Sequence, residues 1–149
     1  MAALTGPIWS RPTLGRKVMI LVFGKTGQIA TELQHSVDVL ALGRDQADLS
    51  DPVACVQAIR DLAPRAVINA AAFTAVDKAE EDEELATIIN GDTPTAIAQA
   101  CAEMQIPLVH ISTDYVFEGS GEVPWKPDDF TAPQNAYGRS KLAGEAGIL

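Results

Sequence analysis

One short segment constrains the fold more than any other. The apolar run at residues 17–23 (KVMILVF) ends directly on a glycine, Gly24. A run this short, without alternation, reads as a strand buried on both faces, the hallmark of a parallel sheet covered by helices. The glycine allows a tight turn, and a helix extending to Gln34 follows. The same rhythm recurs along the chain. Residues 37–42 (VDVLAL) read as a second strand, and Ala47-Asp48-Leu49 as a very short third. Ser50-Asp51-Pro52 opens a helix, with an N-cap candidate and proline near its first position. Its face carries Val53, Val56, Ile59 and Leu62, and it stops before Pro64. Residues 66–71 (AVINAA) form the next strand. Residues 80–105 read as one long helix whose acidic opening, Glu80 to Glu84, suits a solvated first turn. Residues 106–112 (IPLVHIS) form a further strand, and residues 133–148 a last helix. Strands alternating with helices imply an α/β chain with a doubly wound parallel sheet and right-handed crossovers.

Pro94 falls inside the long helix. It has no N–H for the carbonyl of Asn90, so a kink is expected there. A helix that starts afresh near Thr93, with Pro94 in its first turn, is the alternative.

At 149 residues the chain suits a single domain. Its net charge of −9 argues against binding a phosphate backbone, which requires clustered Lys and Arg. No apolar run approaches the ~20 residues that cross a bilayer, so neither nucleic acid nor membrane is an expected partner. Residues 1–17 lack an apolar leader core and read as a disordered N-terminal extension, leaving residues 18–149 as the folded part. Cys55 and Cys101 read as buried free thiols in a reducing, cytoplasmic compartment. His35 and His110 lie far apart, with no third ligand near either, and no metal is expected.

Three constellations carry chemistry. Gly24-Lys25-Thr26-Gly27-Gln28-Ile29-Ala30 sits between the first strand and its helix. Glycine there lets backbone N–H groups approach a pyrophosphate at the helix N-terminus. A bare strand-to-helix turn is the alternative, and the pattern is not that of an NTPase P-loop. The second strand ends at Gly43-Arg44, where an Arg can pair with a 2′-phosphate and Asp48 can hydrogen-bond adenine. Against this stands Arg44 as a plain surface charge. Last come Tyr137 and Lys141, four apart on one helical face, with Thr113 at the end of the preceding strand. An ammonium beside a phenol favours the phenolate, and such a Tyr can give a proton to a carbonyl oxygen as hydride reaches the carbon. Thr113 could hold the same oxygen.

Four strings together resemble the dTDP-4-dehydrorhamnose reductase family of extended short-chain dehydrogenase/reductases. They are GKTGQ at residues 24–28, NAAAFTAVDKAE at 69–80, STDYVF at 112–117 and YGRSKLAGE at 137–145. The resemblance implies a truncated Rossmann-like domain, a partial NAD(P)-binding unit over residues 18–149 without the C-terminal substrate lobe. It implies reduction of the 4-keto group of dTDP-4-dehydro-L-rhamnose, a step toward bacterial surface polysaccharide. Tyr137 would be the proton donor, assisted by Lys141 and Thr113. Gly24, Gly27, Gln28 and Ile29 would cradle the pyrophosphate, with Arg44, Asp48 and Leu49 on the adenosine side. Ala72, Phe73 and Thr74, with Tyr137 and Lys141, would meet the nicotinamide end, and Thr113 and Asp114 the sugar. An Asn in the helix matching that of Asn90 would sit near the site, its freed carbonyl a water anchor.

Ala30 stands in place of a third glycine, and Pro127 where an acidic residue is usual. Gly43-Arg44 replaces the acidic residue of some relatives, which turns the expected cofactor toward NADPH with NADH also admissible. The expected partner is a small nucleotide sugar, and a homodimer stays open for the full-length enzyme. Two other readings compete: an epimerase or dehydratase of the same superfamily, and a non-catalytic NADP-binding regulator. Because the sequence stops at Leu149, the chain by itself is expected to bind cofactor weakly and to lack turnover.

Overall fold

The structure is a computed structural model that describes residues 20–149. The expected extension at residues 1–17, and the first three residues of the first apolar run, lie outside the described residues. Four strands, β1 (Ile20–Phe23), β2 (Leu40–Leu42), β3 (Ala66–Asn69) and β4 (Leu108–His110), form one parallel sheet in the order β2-β1-β3-β4. Helices α1 (Gln28–Ser36), α2 (Pro52–Leu62), α3 (Val76–Glu81), α4 (Glu83–Thr87), α5 (Thr93–Glu103) and α6 (Ala136–Ile148) connect or cover the strands. The expected α/β, Rossmann-like class is what the chain adopts.

The unbroken apolar character of β1 has a direct cause. Leu21 and Phe23 point into a core shared with Cys55, Ala58 and Ile59 of α2 and Ile97 and Cys101 of α5. Val22 points the other way, against Ala30 of α1 and Ala41. Both faces are covered, so alternation has no solvent side to serve. Strand order reverses between β1 and β3, and crevices outside the carboxyl ends of such strands are where α/β folds hold ligands.

Several expectations need correction. No strand forms at residues 47–49. The Gln46 and Ala47 N–H groups both fold back to the Gly43 carbonyl, at 3.0 and 2.9 Å. Ala47 and Leu49 are buried in the core from a turn, not a ladder. Helix α2 is capped by Asp51, whose carboxylate accepts from the Ala54 N–H at 3.0 Å. Its buried face is Cys55, Ala58 and Ile59, while Val53 is 77% exposed. The valine stands at the helix's second residue, two positions before the buried face begins at Cys55.

The expected helix at 80–105 begins earlier, at Val76, and breaks at Asp82, which caps α4 by accepting from Leu85 N–H at 3.1 Å. Its acids are not merely solvated. Glu80 accepts from the Ala136 N–H at 2.6 Å, and Glu83 pairs with the Arg139 guanidinium at 2.7 and 3.0 Å. Together they fasten the start of α6.

Pro94 falls in the first turn of α5, as the alternative had it, but that helix follows on from α4 without a break. The backbone stays helical from α4 into α5 through one π turn, Ile88–Asp92, where the Thr93 N–H bonds to the Ile88 carbonyl five residues back. The Asn90 carbonyl, which Pro94 cannot serve, faces α6 at Gly144. A Cβ at Gly144 would collide with that oxygen, so a glycine is what lets the two helices close. The carbonyl expected to anchor water is thus packed against a helix. Among the described residues, no helix is long and apolar enough to cross a membrane.

Candidate active site

The turn after β1 is shaped by Gly24, whose φ of +103° is a region that side chains rarely adopt. A Cβ there would also press on the Ala70 carbonyl at 3.3 Å. Gly27 stands at the N-cap of α1 in extended backbone, and no side chain caps that end. The first-turn N–H groups of α1 therefore remain available to an anion. Between this turn and the loop after β3 lies a cleft of about 600 Å³, lined by residues that include Lys25, Gly43, Arg44, Ala72 and Thr74.

A smaller pocket beside it is lined by Arg44, Asp48, Leu49, Ala72 and Ile89. Arg44 is 82% exposed at its side chain and 3.9 Å from the Asp48 carboxylate, a loose contact that leaves the guanidinium available. Gln28 and Ile29 are not brought into either space by their side chains. They line an outer groove along α1 with Leu33 and Val37, so backbone amides are what they can offer to the cleft. Phe73 likewise packs its ring into the core.

The loop after β3 is held from beneath by Asn90, which is 1% exposed. Its Oδ1 accepts from the Phe73 N–H at 2.8 Å, and its Nδ2 donates to the Phe73 carbonyl and to Ser140 Oγ, both at 3.0 Å. Ser140 in turn donates to the Tyr137 carbonyl at 2.7 Å. One buried amide thus ties the cleft wall to the helix that carries Tyr137.

Asn135 caps α6, accepting from the Gly138 N–H at 2.7 Å. The half-buried Tyr137 ring meets Tyr115 edge-to-face at 5.5 Å. Thr113 caps the short 3₁₀ turn Asp114–Val116; its hydroxyl accepts from the Tyr115 N–H and donates to Asp114, both at 3.3 Å. Beyond it a groove of about 210 Å³ is bordered by Asp114, Tyr115, Phe117 and Trp125, the last two stacked at 5.1 Å. The loop carrying Pro127 is pinned by Asp129, which accepts from the Lys126 N–H at 2.8 Å.

Lys141 is 2% exposed. Its ammonium site contacts the Ile111 carbonyl and, at 3.2 Å, His110 Nε2. Burial pulls its pKa down from 10.5 to about 8, while Glu145 draws it up. Burial, and then the Lys141 charge, lowers His110 to about 4. His110 is the residue that reading the sequence missed, and Asn69, whose amide bonds its ring, is missed with it. The signal was present, since His110 closes the strand that leads into Ser112-Thr113-Asp114.

The lowered lysine has a consequence for stability. Between pH 8 and the ordinary lysine value, the unfolded chain binds more protons at this site than the folded one, so stability rises with pH across that window. Relative to Lys141→Met, the wild type is expected to gain on the order of 2 kcal/mol between pH 7 and 10 in urea titrations. A difference that stays flat with pH would contradict a buried, destabilised ammonium.

Cys55 and Cys101 are buried and free, with burial pushing their thiols up to about 12 and about 11, which makes them poor nucleophiles. Among the described residues no cluster of His, Cys, Asp and Glu is placed to hold a metal ion.

Residues 18–149 match the family model described as RmlD substrate binding domain. The chain is 46% identical over 137 residues to the dTDP-4-dehydrorhamnose reductase of Salmonella typhimurium, covering 87% of this chain and 46% of that protein. It is 42% identical over 144 residues to the Mycobacterium tuberculosis reductase of the same name, covering 91% and 47%. Among solved structures, the Clostridium acetobutylicum reductase superposes with a TM-score of 0.82 at 38% identity over 88% of this chain and 49% of that one. The Bacillus anthracis reductase, in complex with NADP, superposes with a TM-score of 0.83 at 32% identity over 89% and 49%. The chain spans about half the length of the curated relatives it matches. Because that model spans residues 18–149, the chain belongs to the RmlD substrate binding domain family.

Proposed function

We propose that the chain supplies the cofactor cleft and proton-donating residues of an NADPH-dependent reductase acting on the 4-keto group of dTDP-4-dehydro-L-rhamnose, with NADH accepted less well. The observation that carries the reading is structural. A glycine turn with an uncapped helix N-terminus and a buried Lys141 on the Tyr137 helix share one end of a parallel sheet. The names of the relatives, and the NADP held by the Bacillus anthracis protein, support the substrate and the cofactor.

The residues present fit a dinucleotide. Gly24 and Gly27, with the backbone N–H groups of Gln28 and Ile29, would take the pyrophosphate. Asp48 and Leu49 would border the adenine, and Arg44 the 2′-phosphate. Ala72, Phe73 and Thr74 would line the nicotinamide end, Phe73 through its backbone. When bound, NADPH supplies the hydride. Tyr137 would give its hydroxyl proton to the carbonyl oxygen of the sugar, Thr113 would hold that oxygen, and Asp114 would bind the sugar's hydroxyls. Lys141 would set the protonation of Tyr137. The buried free thiols suit a reducing, cytoplasmic setting. Residues 18–149 would form the cofactor-binding unit.

The direct test follows NADPH absorbance in the presence of dTDP-4-dehydro-L-rhamnose and identifies the product. Loss of NADPH with formation of dTDP-L-rhamnose supports the reading. A protein that joins this chain to a substrate lobe, binds NADPH and yet leaves the ketone intact would overturn it in favour of a non-catalytic relative. For the cofactor, Arg44→Ala is expected to weaken NADPH about fivefold and NADH little, since one exposed charge-assisted contact is worth about 1 kcal/mol. Equal losses for both cofactors, by fluorescence titration, would remove Arg44 from the 2′-phosphate.

A further inference from the structure

Gly43 follows β2, and the turn it opens engages its backbone on both sides. Its N–H faces Gln46 Oε1 at 3.4 Å, and its carbonyl accepts from the N–H groups of Gln46 and Ala47 at 3.0 and 2.9 Å. These bonds set the places of Arg44 and Asp45. The glycine turn after β1 is tied to the same strand end, because the Gly24 N–H donates to the Leu42 carbonyl at 3.0 Å. From the other side, Gln34 of α1 donates to the Lys25 carbonyl at 2.9 Å. Two loops from neighbouring strands are thus fixed beside each other at one rim of the large cleft.

Two side chains cross the open face of Gly43. A Cβ there would stand 2.7 Å from Asp45 Oδ1 and 3.6 Å from Lys25 Cδ, and the nearest atoms to that point all belong to these two side chains. The missing side chain of Gly43 is what leaves room for both. Arg44 lines the same cleft, with its guanidinium 3.9 Å from the Asp48 carboxylate. Among the described residues Lys25 makes no ion pair. The rim therefore offers two cations and two carboxylates to whatever enters.

A 2′-phosphate carries a charge of about −1.5 to −2 near pH 7. One exposed guanidinium does not balance it, and a lysine reaching in from the opposite loop supplies the second positive charge. A carboxylate in the same place has the reverse preference. It accepts from a ribose hydroxyl and repels a phosphate.

We infer that Lys25 is the second cation of the 2′-phosphate site and that Asp45 opposes it, so that this pair sets how strongly the cleft prefers NADPH over NADH. The inference rests on the dinucleotide reading of the cleft. With a 2′-phosphate present, Lys25 and Arg44 hold it from two loops while Asp45 weakens its hold. With a bare ribose, Asp45 accepts from the 2′-hydroxyl and the cations keep their acidic neighbours.

Two fragments of the cofactor read this site without any turnover. The ligands 5′-AMP and adenosine 2′,5′-bisphosphate share the adenine, the ribose and the 5′-phosphate, and differ by the 2′-phosphate alone. Titrated into the full chain and followed by NMR, the bisphosphate should bind more tightly than 5′-AMP. Lys25→Met keeps an apolar stem over Gly43 and removes the charge. It should weaken the bisphosphate about fivefold and 5′-AMP by less than about twofold. Asp45→Asn should move the ratio the other way, about threefold further toward the bisphosphate. Both side chains are exposed, so urea midpoints at the wild-type value will show the variants folded. Equal losses for both ligands in Lys25→Met would place the lysine at the 5′-phosphate and overturn its assignment. Equal affinities in the wild type, or a ratio that Asp45→Asn leaves unmoved or reverses, would overturn the proposal too. A wild-type chain that binds neither ligand at millimolar concentration fails differently, because it overturns the dinucleotide reading itself and this site with it.

Discussion

In a reductase that joins this chain to a substrate lobe, Tyr137→Phe is expected to lower turnover on the 4-keto sugar nucleotide by about 10²–10⁴-fold while leaving NADPH affinity within about twofold. The two effects separate because the ring and the hydroxyl do different work. The ring packs edge-to-face on Tyr115, and phenylalanine keeps that contact. The backbone carbonyl of Tyr137 receives the Ser140 hydroxyl, which no side-chain change at 137 removes. What disappears is one hydroxyl, the proton source in the proposed reaction. The measurement is single-turnover NADPH oxidation beside a fluorescence titration of NADPH. If turnover survived near the wild-type rate, the proton would have to come from elsewhere, and Thr113 at the cap of the 3₁₀ turn after β4 would be the next residue to change. If NADPH binding collapsed with turnover, Tyr137 would be a cofactor anchor and not an acid.

Much of this arrangement is legible in the sequence, for reasons that differ by element. The buried strands announce themselves, because a chain covered on both faces has no place for alternation, and Val22 and Phe23 serve opposite cores. The glycine turn and the Tyr137–Lys141 pair are local patterns whose spacing fixes their geometry. Failures cluster where distant segments meet. Residues 47–49 look like a strand by composition, yet the Ala47 N–H, with that of Gln46 before it, is spent on the Gly43 carbonyl within the same turn. Glu80 and Glu83 look like solvated charge until α6 arrives with the Ala136 N–H and Arg139. Asn69 and His110 stand 41 positions apart and matter together because β3 and β4 pair in register. Pro94 signals trouble for the helix, but the π turn that resolves it depends on Gly144, fifty positions later. Local pattern reports what one segment can be, and pairing across the sheet decides which groups are left to do chemistry.

Replacing Asn90 with Ala should have the largest effect on stability, on the order of 3 kcal/mol, because no other described side chain joins the cleft wall to α6 in this way. Three hydrogen bonds go at once, with the Phe73 N–H and carbonyl losing their partners in a half-buried loop. Each polar group left unsatisfied costs about 1–3 kcal/mol when buried, less where water can reach it. Against a typical domain stability of about 5–15 kcal/mol, such a loss lowers the urea midpoint substantially. Asn90→Asp separates hydrogen bonding from volume. The carboxylate still accepts from the Phe73 N–H, but it faces the Phe73 carbonyl with charge where a donor stood. Near pH 7 this variant should be at least as unstable as the alanine. Burial and the lost donors raise the carboxyl's pKa, so acidification toward that value restores an O–H donor and should recover part of the loss. Asn90→Ala has no group to titrate and should show no such recovery relative to wild type. Stability curves of the two variants at pH 7 and pH 5 decide the matter. If both lose less than about 1 kcal/mol, the loop at Phe73 is held by other contacts, and the coupling of the cofactor cleft to the Tyr137 helix must run through a different route.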